Sequence, residues 1–178
     1  MHKWAAVLMV LGLVLPAGRG QAQPTPVPDV KPNLAPMMYL IGTWTCHSTN
    51  PNRPGDRVET DKYALGLDDR WIIETSESKS FDPARTRTIG GNAYITYDAK
   101  AKHWVYVGVD NFGFYTMSTS PGWNGNTLTW TEIQTANADP LSTFAVTRDS
   151  DTKTSFVLET KTPKGTQRVT GTCTKASA

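Results

Sequence analysis

From Gly42 onward, threonine, valine, isoleucine and aromatic residues dominate the chain, and short clusters of turn-forming residues interrupt them at regular intervals. ALGLDDRWIIETS reads as a strand, a turn at Asp68-Asp69 and a second strand, and YITYDAKAKHWVYVGVD as two aromatic strands around a lysine-rich loop. In PGWNGNTLTWTE, Asn124-Gly125 supplies the positive φ that a tight hairpin needs. FAVTRDSDTKTSFVLETKTPKGTQRVTGTCT yields three more strands, broken at Asp149-Ser150-Asp151 and at Pro163-Lys164-Gly165. The pattern predicts about ten strands, near 43–49, 57–66, 70–79, 90–97, 103–110, 112–119, 126–132, 142–148, 154–160 and 166–175.

Every predicted connection suits a hairpin, and no long apolar period of helical spacing intervenes to make a parallel crossover. Sequential antiparallel strands leave two bare edges unless the sheet closes, and an up-and-down barrel removes both. The expected fold is therefore all-β: an antiparallel up-and-down barrel of about ten strands over residues 36–175, with a β-sandwich as the competing layout. NLAPMMYL, following Asn33 as a cap, predicts a short N-terminal helical turn.

Upstream of the strands the composition changes twice. QPTPVPDVKP carries four prolines in ten residues, which favours extended, solvated backbone, so residues 23–35 read as a tether. Before it, Lys3, the apolar run from Ala5 to Leu15, and Gly20 and Ala22 ahead of Gln23 make residues 1–22 read as an export signal. That run is too short to span a bilayer, so no membrane span is expected in the mature chain. The expected location is the periplasm or the exterior. Removing Lys3 and Arg19 with the signal leaves 16 basic against 16 acidic residues. No basic run remains to neutralise several phosphates, so nucleic acid is not an expected partner.

Cys46 lies in the first predicted strand and Cys173 in the last, and these are neighbours in a barrel of this kind. An exported compartment permits a disulfide between them. The rival reading, two free thiols, lacks a CxxC spacing or a nearby basic cluster to activate them.

Four short patterns carry a family likeness: Leu40-Ile41-Gly42-Thr43-Trp44, Leu67-Asp68-Asp69-Arg70-Trp71, Tyr97-Asp98 with Trp104 six residues on from the aspartate, and Trp123-x-Gly125-x-x-Leu128-Thr129. With them the chain resembles the lipocalin-like, or calycin-like, proteins, and more closely a small secreted bacterial β-barrel family. The resemblance implies that Gly42 opens the first strand just after the helical turn and that Trp44 plugs one end of the barrel. It further implies a basic residue over that tryptophan, for which Arg148 and Arg168 are the candidates here. No particular ligand follows from it.

The inventory for chemistry is thin. Beyond the signal, only His47 and His103 remain, and His47 must point away from Cys46 because adjacent strand residues face opposite sides. No zinc-ligand spacing occurs, so no metal is expected. Ten-stranded barrels of the nitrobindin type bind haem through a histidine in their C-terminal part; this chain has none after His103, and no cofactor is expected. Asp56, Asp68, Asp69, Asp149 and Asp151 fall at predicted turns. Asp110, ending the aromatic strand HWVYVGVD, is the one candidate acid or base, whereas Glu74 and Glu132 lie mid-strand without an evident partner. Ile89-Gly90-Gly91-Asn92 leads into a strand rather than a helix, so it reads as a strand bend and not as a phosphate loop.

Aromatic density is what remains. Tyr63, Trp71, Tyr94, Trp104, Tyr106, Tyr115 and Trp130 are the candidate ligand-binding wall. Trp104 and Tyr106 share one strand face and Val105, Val107 and Val109 the other, so parity leaves the inward face open. The expected function is binding of a small hydrophobic or aromatic molecule inside the barrel. Two alternatives are an enzyme of the barrel cyclase or isomerase kind, with Asp110 as acid or base, and a cell-envelope interaction module acting through its outer surface.

Overall fold

A computed structural model describes residues 29–79, 87–136 and 141–177, and the barrel belongs to the unit Lys31–Ala178. The expected signal, 1–22, and the first part of the expected tether, 23–28, lie outside the described residues. The strands are β1 (Gly42–Asn50), β2 (Arg53–Gly66), β3 (Trp71–Ser78), β4 (Ile89–Asp98), β5 (His103–Asp110), β6 (Tyr115–Ser120), β7 (Trp123–Asn124), β8 (Thr127–Thr135), β9 (Ser142–Ser150), β10 (Lys153–Thr162) and β11 (Gly165–Lys175). Ten of them close an antiparallel barrel in which each strand pairs with the next along the chain and β11 returns to β1. The two-residue β7 is the extra strand, paired only with the start of β8.

Three local expectations are corrected. The strand expected near 112–119 starts at Tyr115, because Asp110 Oδ1 accepts the backbone N–H groups of Phe112 and Phe114 and draws residues 111–114 into a turn. The strand expected at 57–66 starts earlier, at Arg53, whereas the positive φ expected of Gly125 is present, 61°, in a hairpin where Asn124 pairs with Thr127. β8 runs past its expected end at 132 through a bulge, where β6 changes register between Met117, opposite Gln134, and Ser118, opposite Glu132.

One face of every strand lines the interior. In β1, buried Trp44, Cys46 and Ser48 alternate with exposed Thr45, His47 and Thr49. His47 thus points outward, its Nδ1 3.1 Å from Asp56 Oδ2. The apolar core gathers at one end, where Ile72, Ile95, Trp104, Leu128 and Trp130 close around Met37 from the 3₁₀ turn Ala35–Leu40. Met37 is fully buried, so the turn serves as the barrel's floor. Trp44 Nε1 donates to Leu40 O at 2.7 Å, tying the first strand to that floor. Neither arginine suggested by the family likeness covers Trp44. Lys175 Nζ lies 5.7 Å over its ring while donating to Tyr39 O at 2.8 Å. Arg148 stacks 4.4 Å over Tyr39 instead, and Arg168 sits 3.7 Å from Glu159.

Cys46 and Cys173 face each other across the β1–β11 seam and form a disulfide that spans 127 residues of sequence. A crosslink closing so long a loop contributes roughly 4–5 kcal/mol through the unfolded chain.

Candidate functional site

Above the floor the inward positions turn small or polar. Ser48, Ser78, Ala93, Gly108, Thr116, Ser118 and Thr154 cannot fill the interior that ten strands enclose, and a cavity of about 320 Å³ remains. Gly108 is needed for one wall: a Cβ there would stand 3.0 Å from Tyr106 Cε1 and 3.2 Å from its hydroxyl. The glycine gives Tyr106 room to lie against its own strand, 5.8 Å from the Trp130 ring. Phe144 and Phe156, ring centroids 5.3 Å apart, face the cavity along with Leu158 and Val169.

Against these apolar walls stands a charged file on β2. Arg57, Glu59, Asp61 and Tyr63 occupy successive inward positions, and on β3 Glu74 sits directly opposite Tyr63. Arg57 donates to Ser78 Oγ at 2.6 Å and to Glu59 Oε1 at 3.2 Å. Farther round, Glu132 is fully engaged: Thr116 Oγ1 donates to one oxygen at 3.0 Å and the Ser142 backbone N–H to the other at 2.7 Å.

Asp61 is different. It is 6% exposed, one oxygen lies 3.3 Å from Cys46 Sγ, and the other has no hydrogen-bond partner. A disulfide sulfur has no proton to give, so neither oxygen receives a donor from the described residues. Burial, then the neighbouring Glu59 charge, pushes the Asp61 carboxyl up to about 7 against the opposing pull of Arg57. Burial likewise pushes Glu74 up to about 8, reinforced by Asp61 and Glu59 and partly offset by a hydrogen bond from Tyr63. Tyr63 and Tyr106 are held well above the usual phenol range by burial and the same carboxyls. Among the described residues no three His, Cys, Asp or Glu side chains converge closely enough to hold a metal ion.

The residues expected to form the wall divide by strand parity. Tyr63, Tyr106 and Trp130 line the cavity. Trp104 faces inward but is packed into the floor, 5.3 Å from Tyr97. Trp71 and Tyr94 stack edge to face on the outer surface, 6.4 Å apart, because Ile72 and Ala93 take the inward positions beside them. Tyr115 is exposed and accepts a hydrogen bond from Gln134 Nε2 at 3.2 Å. Asp110 is occupied as the acceptor of its turn and is not among the cavity residues. Missing from the expected set are Arg57, Glu59 and Asp61, together with Glu74 and Glu132, whose partners come from other strands. Tyr63 held the signal for the first three, since they share its parity on one strand.

No protein-family model matches the chain, and no curated protein matches it. Among solved structures, a redesigned β-barrel, b11L5F_LGL, aligns at 14% identity over 80% of this chain and 96% of its own, with a TM-score of 0.45. EF1p2_mFAP2b bound to DFHBI aligns at 14% identity over 79% of this chain and 97% of its own, with a TM-score of 0.46. The redesigned barrel mFAP0, also bound to DFHBI, aligns at 14% identity over 78% of this chain and all of its own, with a TM-score of 0.44. At these levels of similarity no ligand passes from them to this chain.

Proposed function

We propose that this is an exported, lipocalin-like barrel that binds a small hydrophobic or aromatic molecule in its interior. The observation that carries the reading is the cavity of about 320 Å³, walled by Tyr63, Tyr106, Trp130, Phe144, Phe156 and Leu158. That volume and that apolar lining, with a few polar groups converging on it, are those of a small-molecule site. Export rests on the signal-like start of the sequence and gains support from the disulfide at the seam, which persists in an oxidising compartment. The interior favours this reading over an interaction module, and the engagement of Asp110 in its turn weighs against an enzyme built on that residue.

A native mass spectrum of protein purified without reductant, together with titration of the neutral fluorophore phenylnaphthylamine, tests the proposal. A bound mass lost on denaturation, or saturable fluorescence abolished by Gly108→Trp, is the expected result. A bare mass with no saturable uptake of the fluorophore overturns it.

A further inference from the structure

The charge inside the barrel is out of balance. Four carboxyl groups line the cavity, Glu59, Asp61, Glu74 and Glu132, against one guanidinium, Arg57. Arg57 is paired with Glu59, and Glu132 is satisfied by neutral donors. No salt bridge joins Asp61 or Glu74 to a cation among the described residues, although Arg57 attracts Asp61, and the buried Asp61 Oδ1 accepts no hydrogen bond from them. A buried acceptor left unmade costs free energy that a matching ligand group recovers, and the recovery is larger when the group is charged. A neutral hydroxyl would satisfy the oxygen but not the charge, whereas an anion would add a fifth negative group.

Resting on the preceding reading, we propose that the ligand is an apolar or aromatic amine, whose protonated nitrogen donates to Asp61 Oδ1 and whose apolar body lies against Trp130, Phe144 and Phe156. Glu74, opposite Tyr63 and one inward position farther along the neighbouring strand, supplies the second negative charge. The titratable groups that face this pair are Arg57, Glu59 and Tyr63 on β2, Tyr106 on β5 and Glu132 on β8, with Tyr39 on the floor. Of these only Arg57 is cationic; it is paired with Glu59 and attracts Asp61 but not Glu74, so an amine meets one competitor at most.

Naphthylethylamine, naphthylethanol and naphthylacetate share one aromatic body and differ in head-group charge, so their dissociation constants isolate the inference. The amine is expected to bind the full chain at least about tenfold tighter than the alcohol near pH 7.5, and the acetate weakest. Its affinity is expected to rise between about pH 5.5 and about pH 8.5 as the carboxyls ionise, and more steeply than that of the alcohol. Asp61→Asn is expected to bring amine and alcohol within about threefold of each other, chiefly by weakening the amine. Equal affinities in the unsubstituted protein, tighter binding of the acetate, or a preference that survives Asp61→Asn overturns the inference. Should that variant not fold, the comparison of the three probes and its pH dependence in the unsubstituted protein decide the matter. If phenylnaphthylamine binds and the amine has no advantage, the amine inference fails and the apolar cavity reading stands. If none of the four probes binds, both fail.

Discussion

Holding Asp61 and Glu74 inside the barrel has a cost that depends on pH. Both carboxyls keep their protons to higher pH in the folded state than in the unfolded chain, where they titrate near pH 4. Their protonated forms therefore favour folding at low pH, and that advantage is lost as pH rises from about 4 through about 7 to 8. Urea unfolding is expected to give a lower midpoint at pH 8.5 than at pH 5.5, although surface carboxylates ordinarily push the other way. Asp61→Asn should flatten the profile and stabilise the fold at pH 8.5 by up to about 3 kcal/mol; a midpoint that climbs with pH in both proteins refutes this. Glu132 stabilises the fold through a hydrogen bond, accepting the N–H of buried Ser142. Glu132→Ala leaves that donor unpaired and should cost about 1–3 kcal/mol in the same assay. At this scale the sequence was hard to read for a physical reason. A strand face written Arg57, Glu59, Asp61 would normally be assigned to solvent, since buried charge is expensive, and only the cavity lets it face inward.

Hairpins were the most legible level. Each expected strand begins and ends within four residues of its place, because alternation and turn residues are local signals. One departure came from a side chain acting on the backbone two and four residues on, Asp110 on Phe112 and Phe114. One hairpin carries an evident strain: Leu67, Asp68 and Asp69 take φ values of 52°, 57° and 58° in succession. Left-handed backbone costs an ordinary L-residue about 1 kcal/mol, and the Leu67 side chain is 60% exposed, so it contributes little packing in return. Leu67→Gly should raise the thermal midpoint by a few degrees, as seen by circular dichroism; a fall would show that the leucine packs in solution. The 3₁₀ turn is the reverse case. Met37→Ala empties a fully buried position in the floor and should destabilise by about 2–5 kcal/mol.

For the molecule as a whole, closure was legible from the count of strands and from cysteines placed in the first and last of them. The width of the interior was not, because it depends on which of two mixed faces turns inward. The pairing of Cys46 with Cys173 joins β1 to β11, the first and last strands of the barrel. The other barrel ladders join strands near one another in sequence, the kind of pairing that in isolated hairpins forms within microseconds. The last ladder has to bring together strands at opposite ends of the folded sequence, and paying that loop entropy is the slow part of reaching such a topology. With that ladder open, β1 and β11 would be two unpaired edges, each able to accept a strand from another molecule. The crosslink therefore protects against association as well as unfolding: once made, a transient opening of the seam re-closes on itself before a second chain can add to either edge.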